Sequence, residues 1–192
     1  MIVLASASPR RAHILRQLGI DFRVVVSEAD ESLLPGEDGA QAAERLARVK
    51  AEAVARIELL PVLGADTIVL CDGHILGKPA TVEEAKAMLR HLAGRTHQVV
   101  TGLCLISDGC VRSARESTEV RFASLSQAEI DWYVSTGEPF DKAGAYHIDG
   151  RGGMFIEAVA GSPSNVAGLP VRTLLRLARE AGLDLGPGPR LV

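Results

Sequence analysis

The sequence predicts an α/β fold, and three stretches of the chain carry this prediction. A short apolar strand, Ile2–Ala5, leads through a tight turn into a helix at 9–18. The apolar run at 61–71 is typical of a central strand that is buried on both faces of a sheet. Two long strands, at 96–107 and 111–123, are joined by a tight turn and predict an antiparallel region.

The residues at the start of the first helix are typical of a site that binds an anion. Ser8 is a good N-cap and Pro9 a good first helical residue, and the free amide groups of a helix N-terminus suit a phosphate. Arg10 and Arg11 lie in the first turn, where their charges oppose the helix dipole. We therefore favour an anion site at this turn; the alternative is two solvated arginines.

A second strand is predicted at 22–26, and it runs into an acidic cluster at 28–31. Such a cluster is usually part of a solvated loop. It belongs to a site only if it folds back beside Arg10 and the carboxylate of Asp66.

The next helix is predicted at 39–58 from its apolar face. Lys50 lies on that face, four residues after Leu46 and four before Val54. A lysine in this position either snorkels to solvent or reaches into a site. We favour the site.

Asp66 places a single carboxylate inside the apolar run at 61–71. Burying an unpaired carboxylate costs so much free energy that the group is neutralised or acquires a cation or a metal. Asp66 is therefore a candidate site residue. The alternative, which this stretch alone leaves open, is that the strand ends there and Asp66 lies at a turn.

A hairpin is predicted after this strand. Asp72-Gly73 forms the turn, a short strand returns at 74–79, and the hairpin would bring Lys78 towards Asp66. Helices are then expected at 81–92, 126–135 and 164–181, with a flexible tail at 183–192 after a single domain at 1–182.

Composition describes an ordinary globular protein. The chain has 192 residues, of which 47% are hydrophobic and 23% charged, and its net charge of -3 argues against binding nucleic acid through bulk charge. No apolar run approaches the roughly 20 residues that a membrane-spanning helix needs. The three cysteines lack metal-ligand spacing, which is typical of free thiols in the cytosol: Cys71, Cys104 and Cys110. We expect a cytoplasmic protein without nucleic-acid or membrane partners.

The charged residues predict a nucleotide or polyphosphate hydrolase. Carboxylates hold a hard cation such as Mg²⁺, and lysines and arginines stabilise the charge that spreads over a phosphoryl group in the transition state. The sequence has no Gly-x-Ser-x-Gly elbow, and Ser162 and Ser164 lack a histidine arranged for nucleophilic work, so covalent catalysis is not expected. A Walker loop is absent as well.

Five motifs resemble the Maf family of nucleoside triphosphate pyrophosphatases, first named as septum formation inhibitors. The resemblance runs in order from Ile2 to about Leu177 and rests on Ser6-Ala7-Ser8-Pro9-Arg10-Arg11, Gly64-Ala65-Asp66-Thr67, Gly77-Lys78-Pro79, Asp141-Lys142-Ala143-Gly144-Ala145-Tyr146 and 161–170. It implies an elongated mixed sheet flanked by helices, similar to the inosine triphosphate pyrophosphatase (Ham1) fold. It also implies a cytoplasmic homodimer that needs a divalent metal, Mg²⁺ or Mn²⁺, and releases a nucleoside monophosphate and pyrophosphate.

The resemblance further implies a role for each matching residue. Asp66 matches the family's proton acceptor and, together with Glu31, its metal ligands. Arg11 and Thr67 match positions tied to substrate choice. The residues that match phosphate and substrate positions are Ser6, Arg10, Arg11, Lys50 and Lys78.

The stretch at 141–146 resembles the branch of the family that acts on dTTP and UTP. Asp149 stands where that branch usually has glutamine, so we expect Asp149 to influence which base is preferred. The alternative substrate is 7-methyl-GTP or another nucleotide. The alternative function is a weakly catalytic nucleotide sensor that restrains septum formation through a cell-division partner.

Overall fold

Residues 1–185, the part of the chain that the computed structural model describes, form seven strands. Their bounds are β1 (Ile2–Ala5), β2 (Phe22–Val24), β3 (Val62–Cys71), β4 (His74–Leu76), β5 (Thr96–Ser107), β6 (Cys110–Phe122) and β7 (Ile156–Ala160). The sheet order is β2-β1-β3-β5-β6-β7, and β4 pairs with β3. β1 is parallel to β2 and β3, whereas β4 is antiparallel to β3 and β7 is antiparallel to β6. The predicted α/β class with a mixed sheet is therefore confirmed.

The described residues form six α-helices, and α1 begins at the predicted N-cap, Ser8. Their bounds are α1 (Pro9–Gln17), α2 (Gly39–Ala55), α3 (Val82–Leu92), α4 (Gln127–Ser135), α5 (Pro163–Val166) and α6 (Val171–Glu180). Asp38 caps α2 by accepting from two backbone amides, and Ser126 and Glu129 form a capping box on α4. Within this part of the chain, no helix combines the length and the apolar composition that crossing a membrane requires.

Several elements differ from the sequence-based prediction, among them β7, which was not predicted, and β4, which ends at Leu76. β2 ends at Val24 and α2 at Ala55, both earlier than expected. The helix predicted at 164–181 is divided into α5 and α6, because Gly168 has a φ of 100° and Pro170 follows it. From residue 186 onwards, the predicted tail lies outside the described residues.

The chain divides into two compact units. The first unit comprises Met1–Asp66, Thr101–Glu116 and the described residues from Gly168 onwards; the second comprises Thr67–Val100 and Ser117–Ala167.

Small residues let α2 lie close against the strands of the first unit. A β-carbon on Gly64 would lie 2.1 Å from the Ala47 carbonyl oxygen, and one on Gly102 would lie 2.2 Å from that of Ala43. Ala51 is fully buried beside this contact, in a cluster with residues of β1 and β3. Because backbone approaches backbone, residues of α2 that face the sheet are held close to β3.

Aromatic side chains dominate the core of the second unit. Phe122 packs edge-on against His97 and Tyr146, and Tyr133 packs edge-on against Phe155. His97 Nε2 lies 2.9 Å from the Tyr146 hydroxyl, and burial lowers the pKa of His97 to about 4. His97 is therefore a neutral core residue at physiological pH.

Candidate active site

The turn between β1 and α1 fixes a buried guanidinium. Arg11 is only 7% exposed, and its Nη1 donates to Ser6 Oγ over 2.7 Å while its Nε donates to the Gly168 carbonyl over 2.8 Å. Burial lowers the pKa of Arg11 to about 10, and the charge of Asp66 opposes that shift. Arg11 consequently remains a cation at neutral pH, held in one orientation.

Arg10 adds a second positive charge at the same helix start. It is half-buried, and its charge contributes to lowering the pKa of Arg11. Ser8 occupies the N-cap of α1 without a side-chain capping bond, so it leaves the amide groups of the first turn to other acceptors. The turn therefore offers two cations and a helix N-terminus to an anion.

Lys50 joins two carboxylates. Its Nζ lies 2.7 Å from Asp66 Oδ1 and 2.8 Å from Glu31 Oε2. The Lys50 side chain is 9% exposed and that of Asp66 is 14% exposed, whereas that of Glu31 is 50% exposed. The side chain of Lys50 does not snorkel to solvent; it reaches into the candidate site, as favoured from its place on the apolar face of α2.

Asp66 lies in the middle of β3 and not at its end. The strand continues for five further residues to Cys71, so the alternative in which Asp66 marks a turn is wrong. A carboxylate in a buried strand needs a compensating charge, and Lys50 provides it.

The acidic loop folds back against α2, and a side chain that the sequence did not single out holds it there. Arg45 donates to both carboxylate oxygens of Glu37 over 2.6 and 2.7 Å, and also to the Ser32 carbonyl over 3.0 Å. Ser32 follows Glu31 directly, so this contact fixes the backbone beside that carboxylate. Asp30 accepts from the amide and hydroxyl of Ser32 and is exposed.

The first unit therefore gathers three cations around two carboxylates. Arg10, Arg11 and Lys50 carry positive charge, and the Coulomb field of Asp66 and Glu31 acts on Arg11. The excess positive charge favours a polyanionic ligand such as a polyphosphate. Glu31 and Asp66 supply oxygen donors of the kind that Mg²⁺ and Mn²⁺ prefer.

Three further predicted site residues belong to the second unit. Thr67 is half-buried in β3, Lys78 is exposed two residues after β4, and Asp149 is exposed. The predicted hairpin before Lys78 is confirmed, because Cys71 pairs with His74 and Val69 with Leu76. The roles of these three residues stay predictions.

Glu138 orders the loop that carries Asp149, a role that its sequence context does not indicate beyond the charge of the side chain. Its carboxylate accepts from the Tyr133 hydroxyl over 2.9 Å and from the amides of Arg151 and Gly152 over 3.1 and 3.0 Å. A β-carbon on Gly150 would lie 2.6 Å from Glu138 Oε1. Asp149 is thus an exposed residue on a closely packed turn.

Comparison with known proteins shows which family the chain resembles along its length. The family described as Maf-like protein matches residues 1–181. A relative from Symbiobacterium thermophilum, named dTTP/UTP pyrophosphatase, is 48% identical over 188 residues, which cover 97% of each chain. A second, from Thermococcus onnurineus and named dTTP/UTP pyrophosphatase, is 50% identical over 185 residues, which cover 96% of this chain and 100% of the relative.

A solved structure supports the fold. The Staphylococcus aureus Ham1 protein superposes with a TM-score of 0.53 over 94% of this chain and 98% of its own, at 15% sequence identity. This likeness concerns the fold alone and agrees with the expected inosine triphosphate pyrophosphatase-like class. With the match along 1–181 and relatives near half identity over almost the whole length, the chain belongs to the Maf family.

Proposed function

We propose that the chain is a nucleoside triphosphate pyrophosphatase that hydrolyses dTTP and UTP to the monophosphate and pyrophosphate. The observation that carries this proposal is the buried Lys50 ammonium, which holds Asp66 and Glu31 beside the fixed guanidinium of Arg11. The names of the relatives support the substrates.

The cationic turn binds the triphosphate in this proposal. Arg10 and Arg11 neutralise the phosphate oxygens, and the amides at the start of α1 add hydrogen bonds. Ser6 keeps the Arg11 guanidinium in place through its hydroxyl. Arg10 and the helix amides contact features that all nucleotides share, so they provide affinity without selecting a base. Arg11 is proposed to contribute to the choice of substrate as well. Lys78 is proposed to contact the phosphates as well.

Asp66 is the proposed proton acceptor. Water attacks at the α–β phosphate linkage, a new P–O bond forms, and pyrophosphate departs as the bridging P–O bond breaks. Asp66 takes the proton from the water, while Lys50 holds the carboxylate in position. Lys50, Arg10 and Arg11 stabilise the charge that develops on the phosphoryl oxygens.

The paired carboxylates of Glu31 and Asp66 fit a divalent metal. Both are oxygen donors, and they converge on one cation, the ammonium of Lys50. We propose that these two residues hold Mg²⁺ or Mn²⁺. When bound, such an ion lowers the pKa of a coordinated water and neutralises the leaving pyrophosphate.

We propose that Asp149 and Thr67 contribute to the choice of base. An ionised aspartate only accepts hydrogen bonds, so Asp149 suits the N3–H of uracil or thymine but faces the neighbouring carbonyl groups unfavourably. Glutamine both donates and accepts. Asp149→Gln is expected to raise kcat/KM for dTTP and UTP relative to CTP and GTP, and an unchanged profile would remove Asp149 from the base site.

Pyrophosphate release with Mg²⁺ present tests the proposed reaction. We expect turnover of dTTP and UTP in preference to CTP, GTP and 7-methyl-GTP. A preference for 7-methyl-GTP over both would overturn the substrate assignment. Tight binding of a triphosphate without turnover would contradict the enzymatic function and favour the alternative, a nucleotide sensor.

We also propose that 1–182 acts as one Maf-like domain and assembles as a cytoplasmic homodimer. The match over residues 1–181 supports the first part, and the resemblance of the motifs supports the second. The cysteines of the described residues are all free thiols, in keeping with a reducing compartment. Sedimentation equilibrium of the purified protein measures the assembly, and a monomer at all concentrations would refute it.

A further inference from the structure

Three side chains of metal-ligand type meet beside the turn between β3 and β4. The sulfur of Cys71, a carboxylate oxygen of Asp72 and a ring nitrogen of His91 all lie within 4.8 Å of one another. Cys71 is buried, His91 is half-buried and Asp72 is exposed. All three belong to the second unit, and none is among the residues assigned to the hydrolytic reaction.

The hairpin adds a fourth donor. Asp72 and Gly73 have φ values of 49° and 77°, which is the backbone of a two-residue turn that suits a hairpin. This turn pairs Cys71 with His74, so their side chains leave the same face of the hairpin. The His74 and His91 ring centroids are 5.5 Å apart. We call these four residues, Cys71, Asp72, His74 and His91, the hairpin cluster.

The donor set of the hairpin cluster differs from that of Glu31 and Asp66. A thiolate, two imidazoles and a carboxylate form the mixed sulfur, nitrogen and oxygen set that zinc accepts in tetrahedral sites. Two carboxylates alone suit the harder Mg²⁺. We infer that the hairpin cluster binds one Zn²⁺, with Cys71, Asp72 and His91 as ligands and His74 as the fourth.

The existing spacing is close to what such a site needs. Ligand bonds of about 2.0 to 2.3 Å in a tetrahedron place donor atoms about 3.5 Å apart. The donors of Cys71, Asp72 and His91, which lie within 4.8 Å of one another, therefore have to approach by at most about 1.3 Å. Rotation of the exposed Asp72 side chain and of His91, in the last turn of α3, would provide this approach, and the exposed His74 ring would turn towards them.

Arg95 is the group that zinc has to displace. Its Nε lies 3.4 Å from Asp72 Oδ2, with the two side chains 47% and 58% exposed. An ion pair this exposed and this long contributes little to stability. Arg95 also donates to the His91 carbonyl, and its Nη1 lies 3.5 Å from His91 Nδ1, so zinc binding through that nitrogen would displace Arg95 from the ring as well.

Cys71 has to lose a proton when the metal binds. Burial raises the pKa of the Cys71 thiol, so the sulfur is protonated in the metal-free protein. As the S–Zn bond forms, the proton passes to solvent and no electron is transferred. The bound ion would join the end of α3 to the β3–β4 hairpin, which is the element that leads to Lys78.

Cobalt provides a direct probe, because only a site with a thiolate gives a sulfur-to-metal charge-transfer band. Protein freed of metal by a chelator and dialysis is titrated with Co²⁺, and we expect a charge-transfer band that one equivalent of Zn²⁺ abolishes. Cys71→Ser should remove the band. Cys110→Ser is the matched control, because Cys110 lies outside the hairpin cluster, and it should keep the band unchanged.

Two further variants separate this site from the hydrolytic one. His91→Gln should weaken zinc binding, measured by calorimetry, at least about tenfold, since even outer partners of a metal have effects of that size. Asp66→Asn should retain the cobalt band in full. A wild-type protein without the band at saturating Co²⁺, or a band that persists in folded Cys71→Ser, would overturn the inference.

Discussion

The ammonium of Lys50 is a buried charge that joins two carboxylates of the candidate site. It contacts Asp66 and Glu31 at hydrogen-bond distance from within the apolar face of α2. Removing the ammonium of Lys50 leaves the carboxylates of Asp66 and Glu31 without their compensating charge. Lys50 therefore supports both the local fold around Asp66 and the proposed chemistry.

Lys50→Met tests this double role. The side chain keeps its length but loses its charge, so we expect kcat/KM for dTTP to fall by about 10²-fold or more. The free energy of unfolding should fall by about 1 to 3 kcal/mol, because Asp66 is left unpaired. Lys86→Met is the matched control, since Lys86 pairs with the exposed Asp131, and it should leave kcat/KM unchanged.

His97 makes the stability of the second unit depend on pH. Its pKa lies near 4 in the folded state because of burial, and near 6.5 in the unfolded chain. Between these values the unfolded chain binds more protons, so the stability contributed by neutral His97 is present above pH 6.5 and is lost as the pH falls towards 4.

Urea unfolding at pH 7.5 and pH 4.5 measures this effect. We expect wild type to lose up to about 3 kcal/mol from this group between the two values, and His97→Gln to lose correspondingly less. His13→Gln replaces an exposed histidine and should behave as wild type does. An equal pH dependence in wild type and His97→Gln would show that His97 is not the responsible group.

The acidic loop folds back against α2 and thereby brings Glu31 to Lys50. Arg45 fastens this loop by binding Glu37 through two hydrogen bonds and the Ser32 carbonyl through a third. Without these bonds, the loop that carries Glu31 would be held mainly by the contact between Glu31 and Lys50, and Glu31 would be less well positioned.

Arg45→Gln should therefore weaken metal activation more than it weakens folding. We expect the Mg²⁺ concentration for half-maximal pyrophosphate release to rise about tenfold, the size of effect usual for residues that orient metal ligands. Calorimetric binding of Mn²⁺ should weaken in parallel. Arg48→Gln is the control, because it removes an exposed pair with Glu52 on the same helix. Equal Mn²⁺ affinities in the two variants would refute a positioning role for Arg45.

The sequence predicts those elements that depend on interactions between residues close together in the chain. The Ser8 N-cap of α1, the hairpin at Asp72-Gly73 and β1 lie where their residues indicate. β7 escaped prediction because its burial does not alternate regularly, with Glu157 and Ala158 both exposed. The division between α5 and α6 depends on the left-handed backbone of Gly168, which the apolar pattern alone does not show.

The site residues that the sequence does not predict depend on contacts between residues far apart in the chain. Lys50 is predictable as a site residue because a lysine on the apolar face of a helix is unusual. Arg45 was missed because its partners are a glutamate and a carbonyl in a loop without periodicity. The hairpin cluster was missed because Cys71 and His91 are 20 residues apart, on a strand and a helix.

At the scale of the whole molecule, membership of the Maf family and the charged constellation support the same function. The relatives supply the names of the substrates, and the structure brings together the carboxylates and cations that the proposed reaction uses. In the proposed mechanism, Asp66 takes the proton from the attacking water.

Pyrophosphate release by Asp66→Asn is the most direct test of that claim. The substitution preserves the shape of the side chain but removes its capacity to accept a proton, so kcat for dTTP and UTP should fall by roughly 10²- to 10⁴-fold. Circular dichroism and calorimetric binding of dTTP should show that the variant is folded and still binds the nucleotide. Retention of most of the wild-type rate in the folded variant would contradict the account.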